Sequence, residues 1–313
     1  MSSASLDKSM AEDDWMTKNN QFKQLLEQPN AFLLPGAYDG MTARMIEEFG
    51  FPAIYATGAG ISNAQLGWAD VGLTSVTEIA DVVARMSDVT NVPIVVDGDT
   101  GFGNALNLMR TVKQLERAGA SAIQFEDQVA PKKCGHFGGK QVISKQEMVN
   151  KIKAAVDTRQ AEDLAIIART DALAIYGMEE AIDRANAYKE AGADVIFVEA
   201  PTTVEQLTQI TAQVPDIPHI INMVEGGSTP LVSLEEAEKM GFQIMLCANT
   251  VLRSAIKGIQ QSLGILQQDK SQENIHEFIC TWEERQELFK LKQIKQWEKQ
   301  YLEFDVLEEV RKR

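Results

Sequence analysis

Cysteine is scarce in this sequence. The three cysteines, Cys134, Cys247 and Cys280, are an odd number at wide spacing, which argues against a disulfide framework and against a zinc cluster. Positive charge is also in short supply, because 30 lysines and arginines stand against 45 aspartates and glutamates, for a net charge of −15. The basic residues are scattered or lie near the C-terminus, so the sequence predicts no nucleic-acid partner.

Long apolar runs are missing as well. No stretch approaches the roughly 20 residues that a membrane-spanning helix needs. The polar N-terminus MSSASLDKSMAEDD lacks the basic start and apolar stretch of a signal peptide. We therefore expect a cytoplasmic protein with no membrane partner. With 44% hydrophobic and 24% charged residues, the chain has the composition of a globular protein that buries a large core.

What the sequence does contain is a regular alternation of short apolar runs and segments with helical periodicity. The runs lie at 32–34, 53–56, 94–96, 122–125, 165–168, 195–198, 219–221 and 244–246. The helical segments between them include 75–86, 105–118, 145–156, 178–191 and 233–240. Four helices end in a glycine just before an apolar run, at Gly50, Gly119, Gly192 and Gly241, where a left-handed residue closes a helix.

This repeated unit predicts an α/β fold of the (β/α)8 TIM-barrel type. An open doubly wound sheet is less consistent, since it has fewer strands, and Gly101-Phe102-Gly103 lacks the spacing of a dinucleotide site. The predicted organisation is an N-terminal arm at 1–20, the barrel at 21–270 and a C-terminal helical extension at 271–313. The charged helix at 285–301 must bury its apolar face; we expect a neighbouring subunit, and the alternative is its own barrel.

Polar residues end nearly every predicted strand, and in a parallel barrel these ends open onto one face. In strand order they are Thr57, Gly58, Ala59 and Gly60; Asp97 and Asp99; Glu126 and Asp127; Arg169 and Asp171; Glu199; Asn222 and Glu225; and Asn249 with Arg253. Clustered carboxylates repel one another unless a cation neutralises them, and hard oxygen ligands favour Mg²⁺ or Mn²⁺ over zinc. The glycine amides and the planar fork of Arg169 indicate a small anionic carboxylate as substrate.

Cys134 differs from the other cysteines. It lies in a glycine-rich loop beside Lys132, Lys133 and His136, a cationic setting that lowers the pKa of a thiol. We therefore expect a functional thiol there, with His136 orienting the loop, binding a substrate carboxylate or helping to protonate Cys134. Structural roles are expected for Cys247, Cys280, His219 and His276.

At these residues the sequence resembles the isocitrate lyase and phosphoenolpyruvate mutase superfamily, from about Phe22 to Tyr301. The matching blocks are PGAYDGMTA (35–43), QLGWADVGLTS (65–75), VDGDTGFGN (96–104), EDQVAPKKCGH (126–136), ARTDA (168–172), VEAP (198–201) and NMVEGGSTP (222–230). The resemblance implies a barrel whose last helix is exchanged between subunits, usually in a dimer of dimers, that is, a homotetramer. It also implies Mg²⁺ held near Asp97, Asp99 and Glu126, largely through water.

The resemblance further implies which residues act. Those implied for catalysis are Cys134, Arg169 and Glu126. Those implied for substrate binding are Thr57, Gly58, Ala59, Asp70, Gly135, His136, Glu199, Asn222, Glu225, Arg253 and Arg285. The KKCGH loop is typical of the lyases of the family, so the implied reaction is retro-aldol cleavage of a 2-hydroxy acid to pyruvate or glyoxylate. Cys134 would protonate the other fragment, a carboxylate-stabilised enediolate.

The substrate stays open at this point. NMVEGG is similar to the 2,3-dimethylmalate lyases and oxaloacetate hydrolases, whereas Arg253 and Arg285 match arginines of the 2-methylisocitrate lyases. Cys247-Ala248-Asn249 is more similar to the mutases, which keeps a phosphonomutase or an oxaloacetate hydrolase as the alternative. A catalytically silent barrel that senses a dicarboxylate is the third reading, and Asp99, Glu126, Arg169 and Cys134 argue against it.

Overall fold

The computed structural model describes residues 16–133 and 139–302 of the chain. Its centre is a closed barrel in which each strand pairs in parallel with the next, and the eighth pairs with the first. The strands are β1 Phe32–Ala37, β2 Ile54–Ala56, β3 Ile94–Asp97, β4 Ala122–Glu126, β5 Ala165–Thr170, β6 Val195–Val198, β7 His219–Asn222 and β8 Ile244–Cys247. The predicted TIM barrel is confirmed.

Helices follow or flank the strands. They are α1 Lys18–Glu27, α2 Gly40–Glu48, α3 Gly58–Ile61, α4 Val76–Val89, α5 Ala105–Arg117, α6 Lys145–Thr158, α7 Leu173–Tyr176, α8 Met178–Glu190, α9 Val204–Gln213, α10 Leu234–Lys239, α11 Thr250–Asp269, α12 Trp282–Leu288 and α13 Leu291–Tyr301. A π-helical turn at Ser62–Leu66 and a 3₁₀ turn at His276–Phe278 complete the set. None of the described helices is both long enough and apolar enough to cross a membrane.

Strand alternation divides the core into two layers. Because successive side chains of a strand point to opposite faces, Tyr55 and Phe197 belong to the cluster inside the barrel, whereas Ile54 and Val198 belong to the layer between strands and helices. Phe22 of α1 joins the interior cluster and is fully buried against Phe32, at the amino-terminal end. Apolar packing therefore closes that end and leaves the carboxyl end for polar groups.

Local sequence signals set the helix ends. Ser75 accepts a hydrogen bond from the Glu78 amide and the Glu78 carboxylate accepts one from the Ser75 amide, a capping box that starts α4. The four predicted glycine ends are confirmed, since Gly50, Gly119, Gly192 and Gly241 have φ of +80°, +99°, +100° and +89°. These glycines return the chain to the next strand.

The chain divides into two compact units between Leu252 and Arg253, inside α11, whereas the sequence predicts the end of the barrel domain at 270. The second unit contains the rest of α11 together with α12 and α13. Within the extension predicted at 271–313, a 3₁₀ turn at His276–Phe278 comes first, and α12 begins only after Thr281 caps it. Lys290, with φ of +54°, separates α12 from α13.

Candidate active site

A cavity of about 40 Å³ lies at the carboxyl end of the barrel. It has room for a few ordered waters, because one water needs about 10–15 Å³ on this measure. Nine residues predicted from the sequence line it: Thr57, Ala59, Asp70, Asp97, Glu126, Arg169, Glu199, Asn222 and Asn249. The remaining lining comes from Tyr55, Lys132, Lys133, Leu246 and Ala248.

The turn after β3 fixes two acidic side chains. Asp97 Oδ2 accepts a hydrogen bond from the Gly58 amide at 3.3 Å, and its Oδ1 accepts one from the Asp99 amide at 3.2 Å. A Cβ added to Gly58 would lie 2.8 Å from Asp97 Oδ2, so this approach requires glycine. Asp99 has a left-handed φ of +47°, and its carbonyl accepts the Glu126 amide at 2.9 Å. The turn therefore ties the acidic ends of β3 and β4 together.

Lys132 places an ammonium among these carboxylates. Its Nζ lies 2.6 Å from Asp70 Oδ1 and 2.9 Å from Asp99 Oδ1, and the residue is 5% exposed. Burial by itself would lower the pKa of Lys132, but Asp99, Asp97, Glu126 and Asp70 outweigh it and raise the pKa well above its usual value. Lys132 is therefore a fully charged cation in a buried acidic site.

One cation does not satisfy all of this negative charge. Burial raises the pKa of Asp99 to about 6; Lys132 opposes this rise, and Asp97 and Asp70 add to it. Asp99 Oδ1 is close to the ammonium without the alignment of a hydrogen bond, and Glu126 Oε1 is buried with no hydrogen-bond partner in the described part of the chain. Both oxygens can accept a further ligand.

These residues fit a hydrated divalent cation. In residues 16–133 and 139–302, no group of three or more His, Cys, Asp or Glu side chains is arranged to ligate one ion directly. Mg²⁺, however, usually keeps several waters and uses only one or two carboxylates. The buried Oε1 of Glu126, which has no hydrogen-bond partner, and Oδ1 of Asp99, which has no aligned donor, are hard oxygen ligands of the kind that such an ion binds directly or through water.

Arg169 forms the opposite wall. Its Nε and Nη2 donate to Asp171 Oδ2 and Oδ1 at 2.9 and 3.2 Å, a bidentate pair. Glu126 Oε2 lies 3.3 Å from Nε, Glu199 Oε2 lies 3.4 Å from Nη1, and the guanidinium stacks 5.1 Å from the centre of the Phe197 ring. Burial raises the pKa of Glu126 well above its usual value, and the charge of Arg169 opposes that rise only in part.

Asp127 and its hydrogen-bond partners support Arg169 indirectly, by holding Asp171. Asp127 Oδ2 accepts hydrogen bonds from Thr170 Oγ1 at 2.7 Å, Tyr188 Oη at 2.8 Å and Arg184 Nη1 at 3.0 Å. Asp127 Oδ1 accepts the Asp171 amide at 2.9 Å. Because Arg184 and Tyr188 lie on α8, this helix holds the backbone of the residue that clamps Arg169. Asp127 is therefore structural, and Asp171 acts through Arg169.

The structure places the other predicted residues less centrally. Asn222 Nδ2 lies 3.4 Å from both carboxylate oxygens of Glu199. Glu225 does not line the cavity; its Oε1 accepts a hydrogen bond from Thr250 Oγ1 at 3.1 Å. The other predicted positions lie outside the described residues or in the second unit. Cys134, Gly135 and His136 lie outside the described residues. Arg253 and Arg285 lie in α11 and α12 of the second unit, where Arg285 stacks 4.3 Å from the Trp282 ring centre.

Sequence reasoning missed several polar groups of the site. Tyr55 and Gln124 lie inside apolar strands, and Tyr55 Oη donates to Gln124 Oε1 at 3.1 Å within the barrel. A polar residue interrupting a buried strand was the available signal. Lys132 was expected to lower the pKa of the Cys134 thiol, yet it pairs with Asp70 and Asp99. No local pattern in the sequence indicated that the Lys132 side chain points toward these two carboxylates.

Comparison with known proteins adds to this geometry. The family model described as "Phosphoenolpyruvate phosphomutase" matches residues 22–266. The chain is 43% identical over 281 residues to the 2,3-dimethylmalate lyase of Eubacterium barkeri, covering 90% of this chain and 97% of that protein. It is 41% identical over 259 residues to a 2-methylisocitrate lyase of Aeropyrum pernix, covering 83% of each.

The fold is also similar to that of a solved enzyme structure. Oxaloacetate acetylhydrolase in complex with the inhibitor 3,3-difluorooxalacetate superposes with a TM-score of 0.86 at 33% identity. The superposition covers 91% of this chain and 97% of that chain.

Proposed function

Because the chain belongs to the phosphoenolpyruvate mutase and isocitrate lyase superfamily, we propose that it is a Mg²⁺-dependent carbon–carbon lyase that cleaves a 2-hydroxy di- or tricarboxylate to pyruvate and a second carboxylate. The predicted membership and the predicted lyase class are confirmed by the match to residues 22–266 and by the named lyases among the relatives. The observation that carries the proposal is the cavity at the carboxyl end of the barrel, in which Asp97, Glu126, Lys132 and Arg169 meet.

Substrate binding falls to Arg169 and the residues across the cavity from it. The guanidinium is always charged and Asp171 fixes one of its edges, so it meets the carboxylate next to the hydroxyl-bearing carbon in a set orientation. Thr57 and Ala59 line the facing wall. A substrate held between Arg169 and this facing wall has its hydroxyl directed toward the carboxylates around Asp99.

Proton removal falls to Glu126 in this mechanism. A carboxylate with a raised pKa and a buried, unpartnered Oε1 is suited to accept the proton of the substrate hydroxyl. The electron pair of that O–H bond forms the new carbonyl, C2–C3 breaks, and its electrons pass to the departing carbon, stabilised by the neighbouring carboxylate. A divalent cation held near Asp97, Asp99 and Glu126 would supply Lewis-acid stabilisation of the negative charge on the substrate oxygen.

Cys134 is proposed to complete the reaction by donating its thiol proton to the departing carbon. Glu199 and Asn222, which face each other across 3.4 Å, would hold the carboxylate of that fragment. The resemblance assigns Arg253 and Arg285 to a third carboxylate, and this assignment stays a prediction. The two substrate candidates are 2,3-dimethylmalate, without a third carboxylate, and 2-methylisocitrate, with one.

A second candidate is hydrolysis of an oxaloacetate-like 2-oxo acid or a phosphonomutase reaction in the same cavity. Asn249 and Ala248 of the mutase-like block line the cavity, and one of the similar solved structures is an oxaloacetate acetylhydrolase. Hydrolysis differs from lyase chemistry in its need for a water that attacks the C2 carbonyl; the departing carbon takes up a proton in both reactions when C2–C3 breaks.

One assay separates these activities. Purified protein with Mg²⁺ is given 2-methylisocitrate, isocitrate, 2,3-dimethylmalate, oxaloacetate and phosphonopyruvate, and release of pyruvate, glyoxylate or oxalate is followed. A lyase forms pyruvate from one of the hydroxy acids, and Cys134→Ser abolishes that turnover while pyruvate still binds. Oxalate release from oxaloacetate with no lyase activity, or a Cys134→Ser variant as fast as the parent, contradicts the proposed function.

We also propose a homo-oligomer, with a dimer of dimers and an exchanged last helix as its finer form. On α11, Ile256, Ile259 and Leu263 share one face at helical spacing and are 42%, 58% and 58% exposed in the single chain. Light scattering is expected to give a multiple of the 34.6 kDa chain mass, and Ile259→Glu with Leu263→Glu is expected to lower it. A monomeric parent protein contradicts the assembly.

A further inference from the structure

Lys140 is a buried lysine that the proposed mechanism does not use. Its Nζ lies 2.7 Å from Asp171 Oδ1, the same oxygen that accepts the hydrogen bond from Arg169 Nη2 at 3.2 Å. We propose that Lys140 is a positioning residue which, through Asp171, keeps the charge of Arg169 available to the substrate carboxylate. This inference rests on the proposed function, because it assigns Arg169 to carboxylate binding.

The geometry links the three groups tightly. The Lys140 side chain is 4% exposed and that of Asp171 is fully buried. Burial would raise the pKa of Asp171, but Arg169 and then Lys140 outweigh it and lower the pKa, so the carboxylate is charged between two cations. The Asp171 amide is held in turn by Asp127 Oδ1 at 2.9 Å. A movement of the Asp171 carboxylate toward one of these two cations would therefore weaken its contact with the other.

The charge balance explains why a second cation is needed. Asp171, Glu126 and Glu199 all lie within 3.4 Å of the Arg169 guanidinium. An arginine in a bidentate pair with a carboxylate is neutral as a unit, and two more carboxylates would make its surroundings repel an anionic ligand. With Lys140, two cations face three carboxylates, so this side of the cavity carries one negative charge less and repels an anionic ligand less than it would without Lys140.

The test measures binding and does not depend on turnover. Calorimetry with pyruvate and Mg²⁺, under conditions where no cleavage occurs, is carried out on the parent protein and on Lys140→Met, which keeps the stem length but removes the charge. We expect the dissociation constant to rise about tenfold or more, the size expected for one charge within roughly 10 Å at the effective dielectric constant of a protein. Lys140→Arg, which restores the charge, is expected to recover most of the affinity.

A purely structural role predicts a different result. It would lower the melting temperature and the number of binding sites per chain while leaving the dissociation constant of the folded fraction unchanged. Lys145→Met is the matched control, because Lys145 lies five positions away in an exposed ion pair with Asp183; its affinity for pyruvate is expected to stay within about twofold.

A double variant gives the sharpest outcome. Lys140→Met combined with Asp171→Asn restores the net charge of the group, so it is expected to bind pyruvate more tightly than Lys140→Met alone. Unchanged affinity in Lys140→Met, or a charge-restoring Lys140→Arg that binds as weakly as Lys140→Met, overturns this inference and leaves the proposed function intact. If the parent protein binds neither pyruvate nor oxalate, the proposed function fails and this inference fails with it.

Discussion

At the amino-terminal end of the barrel, the Phe22 ring meets the Phe32 ring edge to face with centroids 6.5 Å apart, and apolar side chains fill the space around them. At the carboxyl end, Asp99 has a left-handed backbone, a raised pKa and an oxygen without an aligned donor. One end thus follows the rules of stable packing, and the other holds charges that repel each other. Proteins commonly accept such a local cost where a ligand later relieves it.

Removing the apolar closure should have the largest effect on stability. Phe22→Ala empties a fully buried position, so we expect the free energy of unfolding to fall by about 3–5 kcal/mol. Urea unfolding followed by circular dichroism measures this. Phe49→Ala, at a phenylalanine that is 80% exposed, is the control and should change it by less than about 0.5 kcal/mol. Equal losses in the two variants would contradict the role of α1 in closing the amino-terminal end of the barrel.

The pH dependence of stability should have opposite signs at the two ends. Burial lowers the pKa of His219, at the start of β7, to about 4, so the folded state favours the neutral ring. Its contribution is complete above pH ~6.5 and is lost as the pH falls through about 4, an effect on the order of 3 kcal/mol. The raised pKa of Asp99 acts the other way: the folded state binds the proton more tightly, so stability falls as the pH rises from ~4 to about 6.

Two variants separate these contributions in the same protein. Unfolding free energies are measured from pH 4 to 7.5 with chelator present. Relative to the parent, His219→Asn should remove a rise of stability with pH, and Asp99→Asn should remove a fall. Variants whose profiles tilt in the same direction would show that the two ends do not differ in this way.

Asp99→Asn should also separate stability from activity. Asparagine tolerates the left-handed backbone and removes one charge from an acidic cluster, so we expect the metal-free protein to gain about 1–3 kcal/mol at pH 7.5. Mg²⁺ affinity and turnover should each fall, on the order of 100-fold. Denaturant unfolding, calorimetry with Mg²⁺ and steady-state kinetics measure the three quantities. A variant that is less stable and equally active would reverse the comparison.

The smallest effect is expected on the protein surface. Lys239 and Glu235 form an ion pair of 2.7 Å on α10, but their side chains are 70% and 78% exposed. Lys239→Ala should change the free energy of unfolding by less than about 0.5 kcal/mol. The same urea titration applies, and a loss of 2 kcal/mol would mean that this exposed pair matters as much as buried charge does at the carboxyl end.

Much of the barrel could be predicted because its signals are local. Gly192 ends a helix through its own backbone freedom. Val195–Val198, a run of four apolar residues shortly after this helix end, forms a strand. The polar ends of the strands were predicted to converge, and parallel pairing around a closed barrel makes them do so. The C-terminal segment was predicted less well, since the single charged helix expected at 285–301 is divided at Lys290 into α12 and α13.

Only some residues of the candidate site could be predicted from the sequence. Asp97, Glu126 and Arg169 are marked by their places at strand ends, whereas Lys132 and Lys140 lie in a loop where nothing local fixes the direction of a long flexible side chain. Their partners, Asp99 and Asp171, are 33 and 31 positions away in sequence. Only the closed barrel brings them within 3 Å.

The sequence by itself therefore determined the barrel, the family to which it belongs and the acidic character of its active end, because periodicity, glycine positions and residue type act over a few neighbouring residues. Only the tertiary structure decided which charge meets which: Lys132 with Asp70 and Asp99, and Lys140 with Asp171 beside Arg169. Ion pairing and pKa depend on distances of a few ångströms and on exclusion of water, and both are properties of the assembled barrel.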